Sequence, residues 1–121
     1  MNVAPVGLTD TAQIADTLEA AADIIFRDGW CQNSLETNDG KVCAVGAINK
    51  AAGIDNNMLK YVSREQHSMA ANAAVMFGKF LRVRSIPCWN DMYTQTAESV
   101  IEKLKLCAKD VRNAKDVRNG A

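Results

Sequence analysis

Four segments of the sequence carry apolar residues at the three-to-four-residue spacing of an α-helix, and this spacing limits the fold more than any other feature. The first segment opens at Asp10 and Gln13, a capping-box pair, and stops at Gly29. Its apolar positions are Ile14, Leu18, Ala21, Ala22 and Ile25. The pattern predicts an amphipathic helix over residues 10–28 with one face in a core.

The second segment, over residues 42–52, places Val45, Ile48 and Ala52 on one side of a short helix, which Gly53 ends. Asp55 can cap one further turn. Residues 30–42, between the first two helices, lose the helical spacing and contain Asn38-Asp39-Gly40, residues that tolerate a tight turn. They predict a small β-hairpin or an irregular loop.

The third segment opens at Ser63 and Gln66, a second capping box. Its apolar residues leave only a narrow polar strip, and they are Met69, Ala70, Ala73, Ala74, Met76, Phe77, Phe80 and Leu81. We expect this helix at the centre of the fold, enclosed by the others or covered on one side by a second subunit. The second arrangement predicts a homodimer.

Ile86-Pro87 ends the third helix and predicts a loop at Cys88-Trp89-Asn90-Asp91. Thr94 or Thr96 can cap a last amphipathic helix that continues to Val111. The fold class is therefore mainly α, a compact bundle of about four main helices. The 121 residues suffice for one domain, which we place at residues 1–113.

A duplicated hexapeptide ends the chain, where residues 108–113 and 114–119 both read Ala-Lys-Asp-Val-Arg-Asn. Six residues turn a helix by about 600°, so Val117 points away from the stripe that contains Val111. We therefore predict an exposed tail at residues 114–121.

The net charge is zero, yet residues 1–40 contain seven acidic side chains and one basic one. This acidic third can face the basic remainder within one molecule or between copies, or both can be ordinary solvated surfaces. Neutrality argues against nucleic acid as a partner. A weak nucleic-acid site would use Lys79, Arg82 and Arg84, with further basic residues at Lys103, Lys105, Lys109 and Arg112.

Residues 1–8 lack the pattern of an export signal, and the chain has no long apolar run, so we expect a cytoplasmic protein that does not enter a membrane. Its four cysteines are then reduced thiols, some of them in the core. Their wide spacing and the single histidine predict no metal site, and the absence of nucleotide-binding motifs predicts no cofactor.

A thiol-dependent enzyme is the alternative that the residue types allow. Cys43 would lie near the start of the second helix, where free amide groups favour a thiolate. His67 would be the base, and Asn90 or Asp91 would orient the imidazole. The competing interpretation is core packing for Cys43 and Cys107 and an exposed surface position for His67.

Two indoles follow helix breaks and neighbour polar residues: Trp30 with Cys31, and Trp89 with Asn90 and Asp91. Either the two segments pack together as a structural lid, or these five residues form a partner-binding surface.

Several motifs resemble a family of short uncharacterised bacterial and bacteriophage proteins, classed as a domain of unknown function. They are Gly29-Trp30-Cys31, the segment from Asp39 to Ile48 with its Lys-Val-Cys-Ala-Val-Gly core, and Trp89-Asn90-Asp91 ahead of the last helix. The resemblance implies no reaction and no catalytic residue. Together with the absence of a catalytic motif, it leads us to expect a non-enzymatic, phage-encoded accessory protein that binds a host protein in the host cytoplasm.

Overall fold

The computed structural model describes the backbone of residues 10–120 and the side chains of residues 10–114. This part of the chain is mainly helical, as predicted. Its helices are α1 (Thr11–Asp28), α2 (Ala44–Ala51), α3 (Arg64–Leu81), α4 (Ile86–Asn90) and α5 (Ala97–Gly120), with a 3-10 turn at Leu59–Tyr61 between α2 and α3.

The predicted caps fix where three helices begin. The Asp10 carboxylate accepts a hydrogen bond from the Ala12 amide at the start of α1. Ser63 and Gln66 bond each other's backbone amides reciprocally at the start of α3, which is the predicted capping box. Of the two threonines considered for α5, Thr96 makes the contact, because its hydroxyl accepts from the Ser99 amide.

The β-hairpin alternative for residues 30–42 is wrong, since the described residues contain no strand, only isolated bridges at Val42. The turn itself forms, with Gly40 at a φ of 90°. Asn33 has a φ of 68°, which lies in the left-handed region and not in the extended region that a strand requires. The polar groups of residues 31–33 bond the segment around α4 instead of a neighbouring strand.

A loop was predicted at residues 88–91, whereas residues 86–90 form the short helix α4. The Ser85 hydroxyl accepts from the Cys88 amide and caps this helix. Pro87 lies in the first turn of α4, where a helix leaves its amides unbonded, so the missing N–H of proline costs nothing there.

The central helix is α1, and the expectation that α3 is enclosed by the other helices is wrong. Helix α1 packs against α2, α3 and α5 and buries eight residues, whereas α3 buries only Ala70, Ala73 and Phe77. Although α3 contacts α1, α2, α4 and α5, most of its apolar side chains are only partly buried and Val75 is exposed. One face of α3 therefore stays uncovered.

Part of the acidic N-terminal third faces the basic remainder within the molecule. The guanidinium of Arg112 on α5 forms ion pairs with Asp16 and Glu19 on α1. Lys50 on α2 similarly contacts Asp28 at 3.4 Å and Glu36 at 3.6 Å. These contacts lie at the edges of the packed helices.

Helix α5 continues through the duplicated hexapeptide to Gly120. Ala114 is exposed, and the other side chains of the predicted tail at 114–121 lie outside the described residues. The proposed limits of the domain, residues 1–113, stay a prediction.

Candidate functional site

The five predicted partner-binding residues come together around the side chain of Asn90. The indole Nε1 of Trp30 donates to Asn90 Oδ1 at 2.8 Å. Asn90 Nδ2 donates to the Cys31 carbonyl at 3.1 Å and to Asp91 Oδ1 at 3.0 Å. Trp89 precedes Asn90 on α4. We call Trp30, Cys31, Trp89, Asn90 and Asp91 the Asn90 cluster.

The Asn90 amide group is fully occupied inside the protein. Its Oδ1 also accepts a 3.0 Å hydrogen bond from the Ala44 amide, one of the N-terminal amides of α2 that no helical carbonyl can satisfy. The side chain is completely buried. Asn90 therefore links the loop after α1 to α2 and α4, and it has no polar atom left for a partner.

Asp91 and Gln32 strengthen the same link. Asp91 Oδ1 accepts from the Asn33 amide at 2.9 Å, and Gln32 Nε2 donates to the carbonyls of Asn90 and Met92 at 3.1 and 2.9 Å. These bonds hold Asn33 in its left-handed conformation. The hydrogen bonds of Asn90 and Asp91 thus fit a structural lid better than a partner-binding surface.

Trp89 differs from the rest of the Asn90 cluster because it also borders an open surface. The rings of Trp89 and Phe77 pack edge to face, with their centroids 5.5 Å apart and an interplanar angle of 87°. Trp89 also lines a depression of about 410 Å³ with Val83, Arg84 and Cys88. Tyr93, which follows the lining residue Met92 in the sequence, is 96% exposed.

The residues considered for thiol catalysis do not meet in one cleft. Cys43 is buried at the start of α2 and lines a cavity of about 260 Å³ with Ser34 and Asp91, whereas His67 is exposed and lines a different cavity. Burial raises the pKa of the Cys43 thiol, although the Gly46 amide bonds its Sγ at 3.3 Å. The neutral thiol is thereby favoured over the nucleophilic thiolate.

The described residues offer neither a metal site nor a membrane-spanning helix. They contain no group of three or more His, Cys, Asp or Glu side chains arranged to hold a metal ion. None of their helices combines the length and the apolar character that crossing a bilayer requires.

A groove runs along the uncovered face of α3. A cavity of about 620 Å³ and one of about 360 Å³ both include Val45 and Ala74 in their lining, so they adjoin. The α3 groove, as we name it, has a floor of α3 residues, which are Ala70, Ala71, Ala74, Val75 and Gly78. Its walls come from the neighbouring segments and include Val45, Ile54, Val62, Val83, Ile86 and Pro87.

The small residues Ala70, Ala71, Ala74 and Gly78 project little from the α3 backbone, which gives the groove its depth. A β-carbon added at Gly78 would make ordinary van der Waals contacts with the Val83 carbonyl oxygen at 3.7 Å and with Ile86 at 3.9 Å, so it would fit without a clash. Val75 is 54% exposed although it lies among apolar neighbours. Apolar surface of this extent, left open on a small protein, is typical of an interaction site.

Three cations stand at one end of the α3 groove. Lys79 lies in the last turn of α3, Arg82 follows it in the left-handed conformation with a φ of 60°, and Arg84 precedes α4. All three side chains are exposed. The described residues that line the groove include no Asp or Glu.

Sequence reasoning anticipated an uncovered face of α3 but did not identify the residues of the groove. The sequence feature that could have indicated the groove is the set of small residues Ala71, Ala74 and Gly78, which share one helical face. Val45 was placed with Ile48 and Ala52 on one side of the second helix, and it lies half-buried in the wall of the groove. That position depends on how α2 packs against α3, which no local pattern specifies.

Comparison with known proteins gives a family and no function. No curated protein matches the chain. No solved structure matches it either. Residues 9–110 match the DUF6197 family, which is described as a family of unknown function. The match includes α1 to α4, the Asn90 cluster and the α3 groove, and the chain therefore belongs to the DUF6197 family.

Proposed function

We propose that this chain is a non-enzymatic protein-binding module that takes up a helix of a partner protein in the α3 groove. The observation that carries the proposal is the groove itself: two adjoining cavities with a floor of small side chains and apolar walls. An amphipathic helix placed in an apolar groove is a recurrent mode of peptide recognition.

The dimensions of the α3 groove suit a helix. The residues that line the groove along α3 extend from His67 to Arg82. At a rise of 1.5 Å per residue, the groove is about 22 Å long. This length corresponds to about four helical turns of a partner. Alanine and glycine on the floor allow the axis of the incoming helix to approach α3 within the roughly 8–10 Å of packed helices.

The chemistry of the remaining candidate residues supports binding over catalysis. The Asn90 amide is consumed in holding the loop after α1 against α2 and α4. Burial raises the pKa of the thiols of Cys31, Cys43 and Cys107. The rigid Asn90 cluster then serves as the support that positions Trp89 and α4 beside the groove.

We further propose that the partner is a host protein and that the chain is a phage-encoded accessory factor acting in the host cytoplasm. The motifs shared with bacterial and bacteriophage proteins support this part of the proposal. A homodimer through the face of α3 is the competing occupant of the groove, and the experiment below distinguishes the two.

Nucleic acid is the competing partner for Lys79, Arg82 and Arg84. An apolar floor favours a protein helix, since a phosphate backbone offers nothing to bury against Ala71 and Ala74. Retention on single-stranded or duplex oligonucleotides at low salt, lost when the three cations are reversed, would contradict the proposal.

Site-specific photo-crosslinking tests the proposed function. A photoreactive phenylalanine replaces Val75 in the groove, and in a matched control it replaces Leu106, which is 43% exposed on α5. We expect a discrete adduct with a helical segment of one host protein from position 75 alone. Ala74→Leu, which fills the groove, should abolish the adduct, and Ala114→Leu, on the exposed side of α5, should leave it unchanged.

The alternative outcomes are separable. Adducts that form equally from both positions, or that survive Ala74→Leu, would show that the groove is not the binding site. An adduct whose mass equals twice that of the chain, with a dimer seen by light scattering, would assign the groove to a second copy.

A further inference from the structure

We infer that the helix received by the α3 groove carries an acidic first turn and lies antiparallel to α3. This inference rests on the proposed function and adds the charge and the direction of the partner helix. It is carried by the unequal charge at the two ends of the groove.

The cationic end is formed by Lys79, Arg82 and Arg84 on two consecutive segments, the end of α3 and its connection to α4. None of the ion pairs among the described residues includes these three side chains. The other end is lined by Leu59, Val62 and His67 and holds no Lys or Arg. Lys60 and Arg64 flank this end in the sequence but do not line it, so a bound segment contacts Lys and Arg of the lining at one end only.

Four other cations of the described residues are paired within the chain, whereas Lys60, Arg64, Lys103, Lys105 and Lys109 form no ion pair there. What distinguishes Lys79, Arg82 and Arg84 is therefore their position in the groove lining. Arg27, Lys41, Lys50 and Arg112 each lie within 4 Å of a carboxylate of the same chain. At the groove, by contrast, the lining supplies cations and no carboxylate. The partner is thus the source of the complementary charge.

Charge complementarity also sets the direction of the bound helix. Acidic side chains stabilise a helix when they lie in its first turn, because they face the positive end of the helix dipole. Placing that turn over Lys79, Arg82 and Arg84 puts the partner's N-terminus at the C-terminal end of α3. The two helices are then antiparallel.

An unbiased peptide selection tests the inference. A display library of random peptides about 16 residues long, or four to five helical turns, is selected against the full chain. We expect enrichment of peptides with Asp or Glu in the first turn, followed by apolar residues at helical spacing. A spin label at the acidic end should broaden NMR signals near Arg82, and one at the other end should broaden signals near His67.

Two charge reversals of equal size supply the matched comparison. Lys79→Glu with Arg84→Glu changes the groove, and Lys105→Glu with Lys109→Glu changes exposed positions on α5 by the same net charge. We expect the first double variant to bind the selected peptides roughly tenfold more weakly and with less dependence on salt. The second should match the unaltered chain. Circular dichroism of both variants checks that the helices are retained.

The outcomes separate this inference from the proposed function. Selected peptides that are neutral or basic, bind equally to both double variants, or lie parallel to α3 would overturn the inference, while loss of their binding in Ala74→Leu would leave the proposed function intact. A selection that yields no peptide sensitive to Ala74→Leu would overturn both.

Discussion

The indole of Trp30 donates a 2.8 Å hydrogen bond to the side-chain carbonyl of Asn90, a residue 60 positions later in the chain. The same carbonyl oxygen accepts from the first amide of α2, so one buried atom joins three segments. Such a contact contributes most by preventing unpaired polar groups in the interior. The Asn90 cluster is therefore the structural support of α4, which forms one wall of the α3 groove.

Asn90→Ala is expected to lower the free energy of unfolding by about 3 kcal/mol, because it leaves the Trp30 indole N–H, the Ala44 amide and the Cys31 carbonyl without their partner. Urea denaturation measures this loss. Asn57→Ala, at an exposed position, is the control and should change stability by less than about 0.5 kcal/mol. A loss for Asn90→Ala no larger than that of the control would contradict the role of the amide.

Trp30→Phe removes the indole N–H but leaves the aromatic ring. Asn90 Oδ1 keeps its bond from the Ala44 amide, so no buried acceptor is left unpaired. We expect a loss of about 1 kcal/mol, the net value of one hydrogen bond, again by urea denaturation. A loss as large as that of Asn90→Ala would mean that packing of the indole, and not its hydrogen bond, dominates.

The sequence predicts the helices well where the determinant is local. Ser63 and Gln66 lie three residues apart, and their reciprocal bonds need only the first turn of α3. The apolar spacing from Ile14 to Ile25 likewise marks the buried face of α1. Such patterns act within a few residues, so they can be read without knowledge of the fold.

The functional residues depend on contacts between distant segments, which local patterns do not contain. Asn90 was recognised as a polar residue beside tryptophan, yet its burial arises from Trp30 and Ala44, far away in the sequence. The α3 groove lies where Val45 of α2 and Pro87 of α4, two helices that contact each other, flank the small residues of α3. Helical spacing shows that these small residues share a face, but only packing decides that the face stays open.

Two glycines inside helices should respond oppositely to alanine. A β-carbon at Gly46 would overlap the backbone carbonyl of Leu35, which cannot move without disturbing the loop after α1. Gly46→Ala should therefore destabilise the fold by about 3 kcal/mol or more. At Gly78 the nearest atom is 3.7 Å away, so Gly78→Ala should stabilise α3 by about 0.5–1 kcal/mol. Thermal unfolding compares them, and equal effects would refute the difference in packing.

The four thiols should react at very different rates. Cys88 is exposed, whereas Cys31, Cys43 and Cys107 are buried, and burial raises the pKa of each of those three. With a chromogenic disulfide reagent near neutral pH, we expect one rapid thiol that Cys88→Ala removes, and three that react only on unfolding. A rapid thiol lost in Cys43→Ala instead would revive the thiol-dependent enzyme.

The stability of the fold should fall in alkaline solution partly through Cys107. Burial raises the pKa of this thiol from 9.0 to about 12. Between these values the unfolded chain has released the proton and the folded chain still holds it, so the unfolded state binds fewer protons and stability decreases with rising pH. The contribution of the buried neutral thiol is complete below pH 9 and is lost as the pH approaches 12.

Urea denaturation near pH 8 and near pH 10 measures this dependence in the unaltered chain, in Cys107→Ala and in Cys88→Ala. Other groups titrate in the same range, so the difference between variants is the informative quantity. Cys107→Ala should show a fall in stability smaller by about 1 kcal/mol. Cys88→Ala should follow the unaltered chain, because its thiol is exposed. Equal falls in all three proteins would show that the Cys107 thiol does not remain protonated in the folded state.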